Sequence, residues 1–324
     1  MDEIRGIQKK IDEEINAVLR EYCLLDKSFL NAVQYVLDLK GKRIRPLLMI
    51  LSYRLFKDDI NAVFNQAVAL ELFHNFTLVH DDIMDNSDRR RGKETVNNLW
   101  GNDVAILVGD ILLVQAHKLL LSTSGKFMND IMSVFTDMSM KLCEGQFIDI
   151  KGAYEVASTD QYIYMIKGKT AVLLASCLEI GAILGEASAN DRKMLYELGI
   201  NLGIAFQIED DLLDVYSEQS VCGKNVKRDI LNKKKTFLLI KAIECGDNEQ
   251  KKKIYDYLHT TNVTPYMVDE IKQIYDTLRI SEQCKRIASQ YYLAAENCIK
   301  SLSVKEQAKE SLRYFIKLLQ NRKS

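Results

Sequence analysis

The chain has 324 residues, 47% of them hydrophobic, and a formal net charge of -1. That length can bury a large core, and the near-zero charge excludes nucleic acid as the main partner, since phosphate backbones call for a basic excess. With only two prolines and fifteen glycines there are few helix breakers, so the simplest reading is an all-α chain.

Seven scattered cysteines without a C-x-x-C pair fit a reducing cytosol rather than a disulfide framework or a zinc site. The N-terminal stretch MDEIRGIQKKIDEEI is charged and amphipathic, neither a signal peptide nor a spanning helix. The longest apolar segment, AVLLASCLEIGAILG, contains Glu179 and is too short to cross a bilayer. A cytoplasmic protein with no membrane span is expected. No linker, low-complexity tract or short repeat divides it, so one all-helical domain over residues 1–324 is expected as well.

In chain order, the charged first helix leads to Gly41-Lys42-Arg43-Ile44-Arg45-Pro46, a compact cationic turn before an apolar helix. Periodicity predicts long helices at about 60–86, 103–122, 127–152, 160–184, 190–217 and 303–321. Ser158 with Gln161 and Ser303 with Glu306 read as capping boxes. Thr264-Pro265 reads as an N-cap and first helical position. Strand alternation bounded by turn signals is absent.

The first long helix ends in LVHDDIMDNSDRRRG, with Asp81, Asp82 and Asp85 followed by Arg89, Arg90 and Arg91. A second D-D-x-x-D, at Asp210, Asp211 and Asp214 within FQIEDDLLDVY, ends the helix predicted over 190–217. One such motif arises by chance about once in ten or twenty chains of this length, and two about once in several hundred. Residues i and i+4 share a helix face, where two carboxylates repel. A divalent cation bridging them reverses that sign. Mg2+ takes a carboxylate or two, keeps several waters, and completes its shell with substrate phosphate.

The basic groups complement the acids. Arginine forks match phosphate oxygens and lysine adds a point charge. Besides the two arginine-rich turns, Lys169-Thr170 lies in an apolar helix, and Gly223-Lys224 and Lys233-Lys234-Lys235-Thr236 follow the second acidic motif. The set suits two anionic groups, one held through metal and the other directly. His74 and His80 are six apart and face different sides of a helix, which suits a core or hydrogen-bonding role better than metal ligation, though His74 could reach a phosphate. No G-x-x-x-x-G-K-[ST] loop supports phosphoryl transfer from ATP.

These residues resemble the trans-isoprenyl diphosphate synthases, or polyprenyl synthetases, of short-chain type. The likeness is carried by GKRIRP, ELFHNFTLVHDDIMDNSDRRRG, ILVGD, EGQFID, KGKTA and GIAFQIEDDLLD followed by GK and KKKT. It implies a bundle of long antiparallel helices around a deep central cavity, as a homodimer. It also implies an allylic diphosphate (dimethylallyl, geranyl or farnesyl) bound through three Mg2+ ions. Asp81, Asp85 and Asp210 would be direct ligands, and Asp82, Asp211 and Asp214 ligands or water holders. Arg90, Lys169, Lys234 and Lys224 would contact the allylic diphosphate. Lys42, Arg43, His74 and Arg91 would hold isopentenyl diphosphate, and Thr170 and Gln207 would face the reacting carbons. Phe76 and Phe73, five and eight residues before Asp81, with small Thr77, resemble chain-length residues of enzymes making C20 or C15 products. Two departures bear on loop shape: Lys227-Arg228 replaces the family's G-G before Asp229, and Glu94 and Asn97 stand where proline and histidine are common. The alternatives are a terpene cyclase, which needs no site for a second diphosphate, and a non-catalytic synthase subunit, which often lacks one aspartate motif.

Overall fold

The computed structural model describes residues 2–19, 26–39, 41–152, 158–217 and 227–320. The order is α1 (Asp2–Leu19), α2 (Lys27–Leu37), α3 (Ile44–Arg54), a 3-10 turn (Ile60–Val63), α4 (Phe64–Met84), β1 (Arg89–Arg90), β2 (Lys93–Glu94), α5 (Val96–Trp100), α6 (Asn102–Leu120) and α7 (Gly125–Gly152). There follow α8 (Thr159–Ile166), a π turn (Lys167–Ala171), α9 (Val172–Leu184), α10 (Ala189–Tyr216), α11 (Arg228–Leu231), α12 (Phe237–Cys245), α13 (Asn248–His259), α14 (Pro265–Thr277), α15 (Ile280–Lys300) and α16 (Glu306–Gln320).

The chain is all-α, and the long helices stand within a few residues of their expected bounds. The Ser158–Gln161 capping box forms, and Thr264 caps α14 with Pro265 in its first turn. Three details differ. The helix expected over 160–184 is interrupted by the π turn. The helix expected from Ser303 starts at Glu306. And a hairpin forms where no strand pattern is visible: Arg89 pairs with Glu94 and Arg90 with Lys93. Two pairs are too few for alternation to show. The turn between them carries Arg91 and Gly92, both at positive φ (53° and 78°), as a two-residue hairpin turn of type I′ demands.

The chain forms two compact units. In the first (Met1–Phe135, Cys177–Arg192, Val304–Lys309), α1 buries Ile4, Ile7, Ile11, Ile15 and Val18, a single stripe at helical spacing. Pro46 to Tyr53 of α3 are buried all round. α4 lies close along α6, and Gly109 permits the contact: a Cβ there would stand 2.2 Å from His80 Nε2.

The second unit (Thr136–Ser176, Lys193–Ser303, Glu310–Ser324) has its own core, including Tyr162, Ile166, Ile208, Leu212, Phe237 and Tyr275. α7 crosses the π turn so closely that a Cβ on Gly145 would stand 2.3 Å from Lys169 N.

Candidate active site

α4 ends in a Schellman closure: Ser87 N–H bonds Asp82 O (2.9 Å) and Asn86 N–H bonds Ile83 O (3.2 Å). Asn86 supplies the left-handed residue (φ 47°) that this closure needs. Asp81, Asp82 and Asp85 therefore occupy the last turn of α4, at the negative end of the helix dipole, where acids are disfavoured. Cations offset this. The β1–β2 hairpin brings Arg90 back, its Nε 2.8 and 2.9 Å from the two oxygens of Asp82 and its Nη2 3.5 Å from Asp81 Oδ2. Asp82 is only 5% exposed. Burial pushes its carboxyl up to about 6, against the pull of Arg90. Thr95 anchors the hairpin through Oγ1 to Ser87 O (2.7 Å), and Tyr35 through its hydroxyl to Glu94 O (2.8 Å). Glu94, one of the two departures noted here, serves the hairpin through its backbone.

Further down α4 lies buried His74. Arg45 Nη1 stands 2.9 Å from its Nε2, and because a guanidinium only donates, Nε2 accepts and the ring proton sits on Nδ1. Burial, then the charges of Arg45, Arg91, Arg90 and Arg43, hold His74 well below its ordinary 6.5, so it is neutral near pH 7. Arg91 curls back under Gly41, its Nη1 donating to Leu39 O (3.2 Å). The structure thus groups Arg45, His74 and Arg91, with one exchange from the residues named from sequence. Arg43, expected to hold diphosphate, is 6% exposed and its fork is taken: Nε by Asp12 and Nη1 by Glu71, both at 2.8 Å, and Nη2 by Leu37 O (3.3 Å). Arg45, present in the same turn but not singled out, is the one beside His74. Their i, i+2 relation across a helix start hides which of the two turns inward.

The second motif is built differently. Asp211 is 3% exposed. One oxygen accepts from Tyr162 OH and Phe237 N–H, the other from Gln207 Nε2 (3.0 Å). Burial, and next the charge of Asp229, push its carboxyl up to about 6. Asp214 Oδ2 accepts Asp229 N–H (2.9 Å), and its backbone O accepts Lys227 N–H (2.7 Å). These acids thus cap the N-termini of α12 and α11, the segment that carries Lys234. The charge of Lys234 in turn bears on Asp211. Asp82 and Asp211, expected as metal ligands or water holders, have both oxygens already engaged by the protein.

The π turn presents Lys169 and Thr170. Lys169 Nζ stands 2.6 Å from Asp149 Oδ2, and Thr170 Oγ1 donates to Gln207 Oε1 (3.0 Å). Asp149 lies in the EGQFID motif but drew no role from sequence, and Tyr162 carried no signal at all. Lys233 donates to the carbonyls of Leu258 and Thr260 and faces away from such a role. Lys224 lies outside the described residues. Lys227 takes the left-handed conformation (φ 67°) where the family has glycine, and its Nζ pairs with Asp269 (2.6 Å).

Of the length-setting candidates, Phe73 is buried and packs on Phe76 and Phe135, with ring centroids 5.5 and 4.9 Å apart. Phe76 is partly buried and packs on His80 (4.8 Å). Thr77 turns its hydroxyl to His74 O (2.8 Å).

Among the described residues no three His, Cys, Asp or Glu side chains converge on one point as a ready-made metal cage. The donors suit Mg2+ nonetheless, since it takes one or two carboxylates and fills its shell with water and phosphate. Asp81 with Asp85, and Asp210 with Asp214, are such pairs one helical turn apart.

A family model described as polyprenyl synthetase matches residues 26–278. The chain belongs to the polyprenyl synthetase family. This synthetase is 38% identical over 278 residues, 86% of its length and 83% of the relative's, to a short chain isoprenyl diphosphate synthase of Methanocaldococcus jannaschii. It is 36% identical over 249 residues, 76% of each chain, to a geranylgeranyl diphosphate synthase of Methanosarcina mazei. A solved geranylgeranyl pyrophosphate synthetase from Pyrococcus horikoshii Ot3 superposes with a TM-score of 0.90 at 30% identity, covering 99% of this chain and 98% of that one. The synthetase is a chain-elongating prenyltransferase with the all-α isoprenoid synthase fold, and neither the cyclase nor the non-catalytic subunit is favoured. Among the described residues, no helix is long and apolar enough to cross a membrane.

Proposed function

We propose that this synthetase joins isopentenyl diphosphate to an allylic diphosphate and releases a short all-trans product, C20 or C15. The observation that carries the reading is the pairing of two kinds of anion holder on one chain. Carboxylate pairs at the ends of α4 and α10 suit metal-borne diphosphate. The Arg45–His74–Arg91 group, with Lys42 beside it, suits a diphosphate held directly.

Asp81, Asp85 and Asp210, with Asp214, would hold the Mg2+ ions. Bound Mg2+ supplies charge neutralisation to the departing diphosphate. Asp82 and Asp211 act instead through what they hold, the Arg90 hairpin and the 227–237 segment. Arg90, Lys169 and Lys234 contact the allylic diphosphate, and preplaced cations of this kind stabilise charge as it develops on the leaving oxygen. Thr170 and Gln207, locked to each other, line the allylic carbons and shield the cation from water. Neither histidine of the first acidic helix suits general-base work: His74 is committed to Arg45, and His80 Nε2 stands 3.1 Å from Ile106 O. The released diphosphate takes the proton. Phe76 and Phe73 close the path of the growing chain.

A second copy of the chain covers α6. Leu107, Val114 and Leu121, seven residues apart on one face, are 56%, 62% and 62% exposed, with Ile106 beside them, and so large an apolar stripe calls for a partner.

The deciding experiment incubates the purified chain with Mg2+, isopentenyl diphosphate and, in turn, dimethylallyl, geranyl and farnesyl diphosphate, and measures product length. Linear C15 or C20 diphosphate is the expected product, abolished by chelator. Cyclised hydrocarbon, or no turnover, would overturn the reading. Phe76→Ala should lengthen the product, and an unchanged spectrum would remove Phe76 from the floor.

A further inference from the structure

The turn that carries Lys42 and Arg45 is built around a residue in an unusual shape. Arg43 has φ 48° and ψ 40°, the left-handed region that non-glycine residues rarely occupy. Such a shape persists where the surroundings over-determine it, and here they do. The guanidinium ties three helices at once: Asp12 of α1, Glu71 of α4 and the Leu37 carbonyl at the end of α2. Glu71 is 2% exposed, and its charge acts on Arg91 as well as on Arg43, so it offsets the mutual repulsion of the cationic group. One helical turn before Asp12, on the same face of α1, Gln8 Nε2 donates to Lys42 O (2.9 Å). The isoleucine stripe seats α1, and its polar flank grips the turn at two successive residues.

We propose that α1 is a positioning element for substrate. Gln8 and Asp12 lock the Lys42–Arg43 backbone so that Lys42 and Arg45 stand ready for the isopentenyl diphosphate, and the Arg43–Glu71 pair is the buried centre of that lock. The inference rests on the reading of Lys42, Arg45, His74 and Arg91 as the holders of that diphosphate. A turn ordered before binding saves the ordering cost at the moment of binding. Loosening it should therefore weaken one substrate and leave the other alone. Arg43 itself touches no substrate: it acts through its neighbours.

The test uses the full chain with Gln8→Ala and Asp12→Ala together, two changes on the partly exposed flank of α1 that leave its isoleucines in place. Initial rates are measured with isopentenyl diphosphate varied at saturating allylic diphosphate, and the reverse, beside thermal unfolding and a Lys42→Ala control. KM for isopentenyl diphosphate should rise about five- to tenfold, as the loss of one hydrogen bond and one half-exposed ion pair predicts. The allylic KM and kcat should stay within about twofold of the parent. If Lys42→Ala raises that KM and the double variant does not, the inference fails and the site reading stands. If both substrates lose affinity equally, or only the unfolding temperature falls, α1 is a structural brace and the inference fails. If Lys42→Ala leaves the isopentenyl diphosphate KM untouched, the site reading itself fails and takes the inference with it.

Discussion

The two D-D-x-x-D motifs have identical spacing and each ends a long helix, yet the protein treats their middle aspartates in opposite ways. Asp82 is matched by a charge, the Arg90 fork. Asp211 is matched by neutral donors: a tyrosine hydroxyl, a backbone N–H and a side-chain amide. Burial pushes both carboxyls up to about 6, so the contrast lies in the partner and not in the degree of enclosure. In each case the middle acid secures the cationic segment that follows in sequence. The first motif does so with an ion pair that a phosphate can compete for, because Arg90 is itself a phosphate-type fork. The second does so with hydrogen bonds that no anion displaces. The first holder is exchangeable and the second permanent.

The largest effect should come where the motifs are alike. Asp81→Ala and Asp210→Ala should each cut turnover on the order of 1,000-fold while the unfolding temperature holds, because each would remove a carboxylate proposed to hold the Mg2+ that neutralises the departing diphosphate. Near-parental rates in either variant would contradict the metal roles.

Next in size is a stability difference that separates the motifs. Asp211→Ala leaves Phe237 N–H and the Tyr162 hydroxyl buried without their acceptor, and should cost about 3 kcal/mol. Asp82→Ala also removes a buried carboxylate, but Arg90 is partly exposed and can turn to water, so about 1 kcal/mol is expected. Urea unfolding of the two variants measures this, and equal losses would dissolve the contrast between exchangeable and permanent holders.

The pH response should set His74 against the middle acids, since Asp82 and Asp211 are both raised to about 6. His74, beside the first motif's arginines, has its folded pKa depressed below 6.5. Its contribution to stability is complete above pH 6.5 and is lost as pH falls below that value. Asp211, raised from 3.8 to about 6, runs the other way: its contribution is complete below pH 3.8 and is lost as pH rises through 6. Unfolding at pH 7.5 and 5.5 should therefore show a smaller acid-side loss in His74→Gln than in the parent. Asp211→Asn should show a larger one, because the opposing slope is gone.

The smallest effect concerns Lys227, which precedes α11 in the left-handed conformation. Lys227→Gly relieves a left-handed lysine but loses the Asp269 pair. The two terms are each about 1 kcal/mol or less and of opposite sign, so stability should move by no more than about 0.5 kcal/mol. A large loss would show that the ion pair, and not the backbone, holds the segment.

Much of the site was legible because its chemistry is periodic or repeated. The paired aspartates, the arginines after the first motif, Lys169-Thr170 and Gln207 all stand in ordered motifs, and the helices that carry them follow a 3.6-residue pattern. The hairpin was not legible: two residue pairs leave no alternation, and only Arg91-Gly92 marked the turn. Nor was the exchange of Arg43 for Arg45, since both are arginines in one turn and only Asp12 and Glu71, from two other helices, decide which is consumed. Asp149 and Tyr162 were silent because one ion pair and one hydroxyl bond have no sequence period.

The sequence by itself determined the helical class, the place of both acidic motifs and the inventory of cations, because composition, spacing and residue chemistry are local properties of the chain. Only the tertiary structure decided which distant groups engage each charge, as it does for Arg43, Asp82 and Asp211. That choice depends on partners 28 and 31 residues away, Glu71 and Asp12 for Arg43. The free energy of a buried charge is set by the neighbours that enclose it, not by the residues on either side.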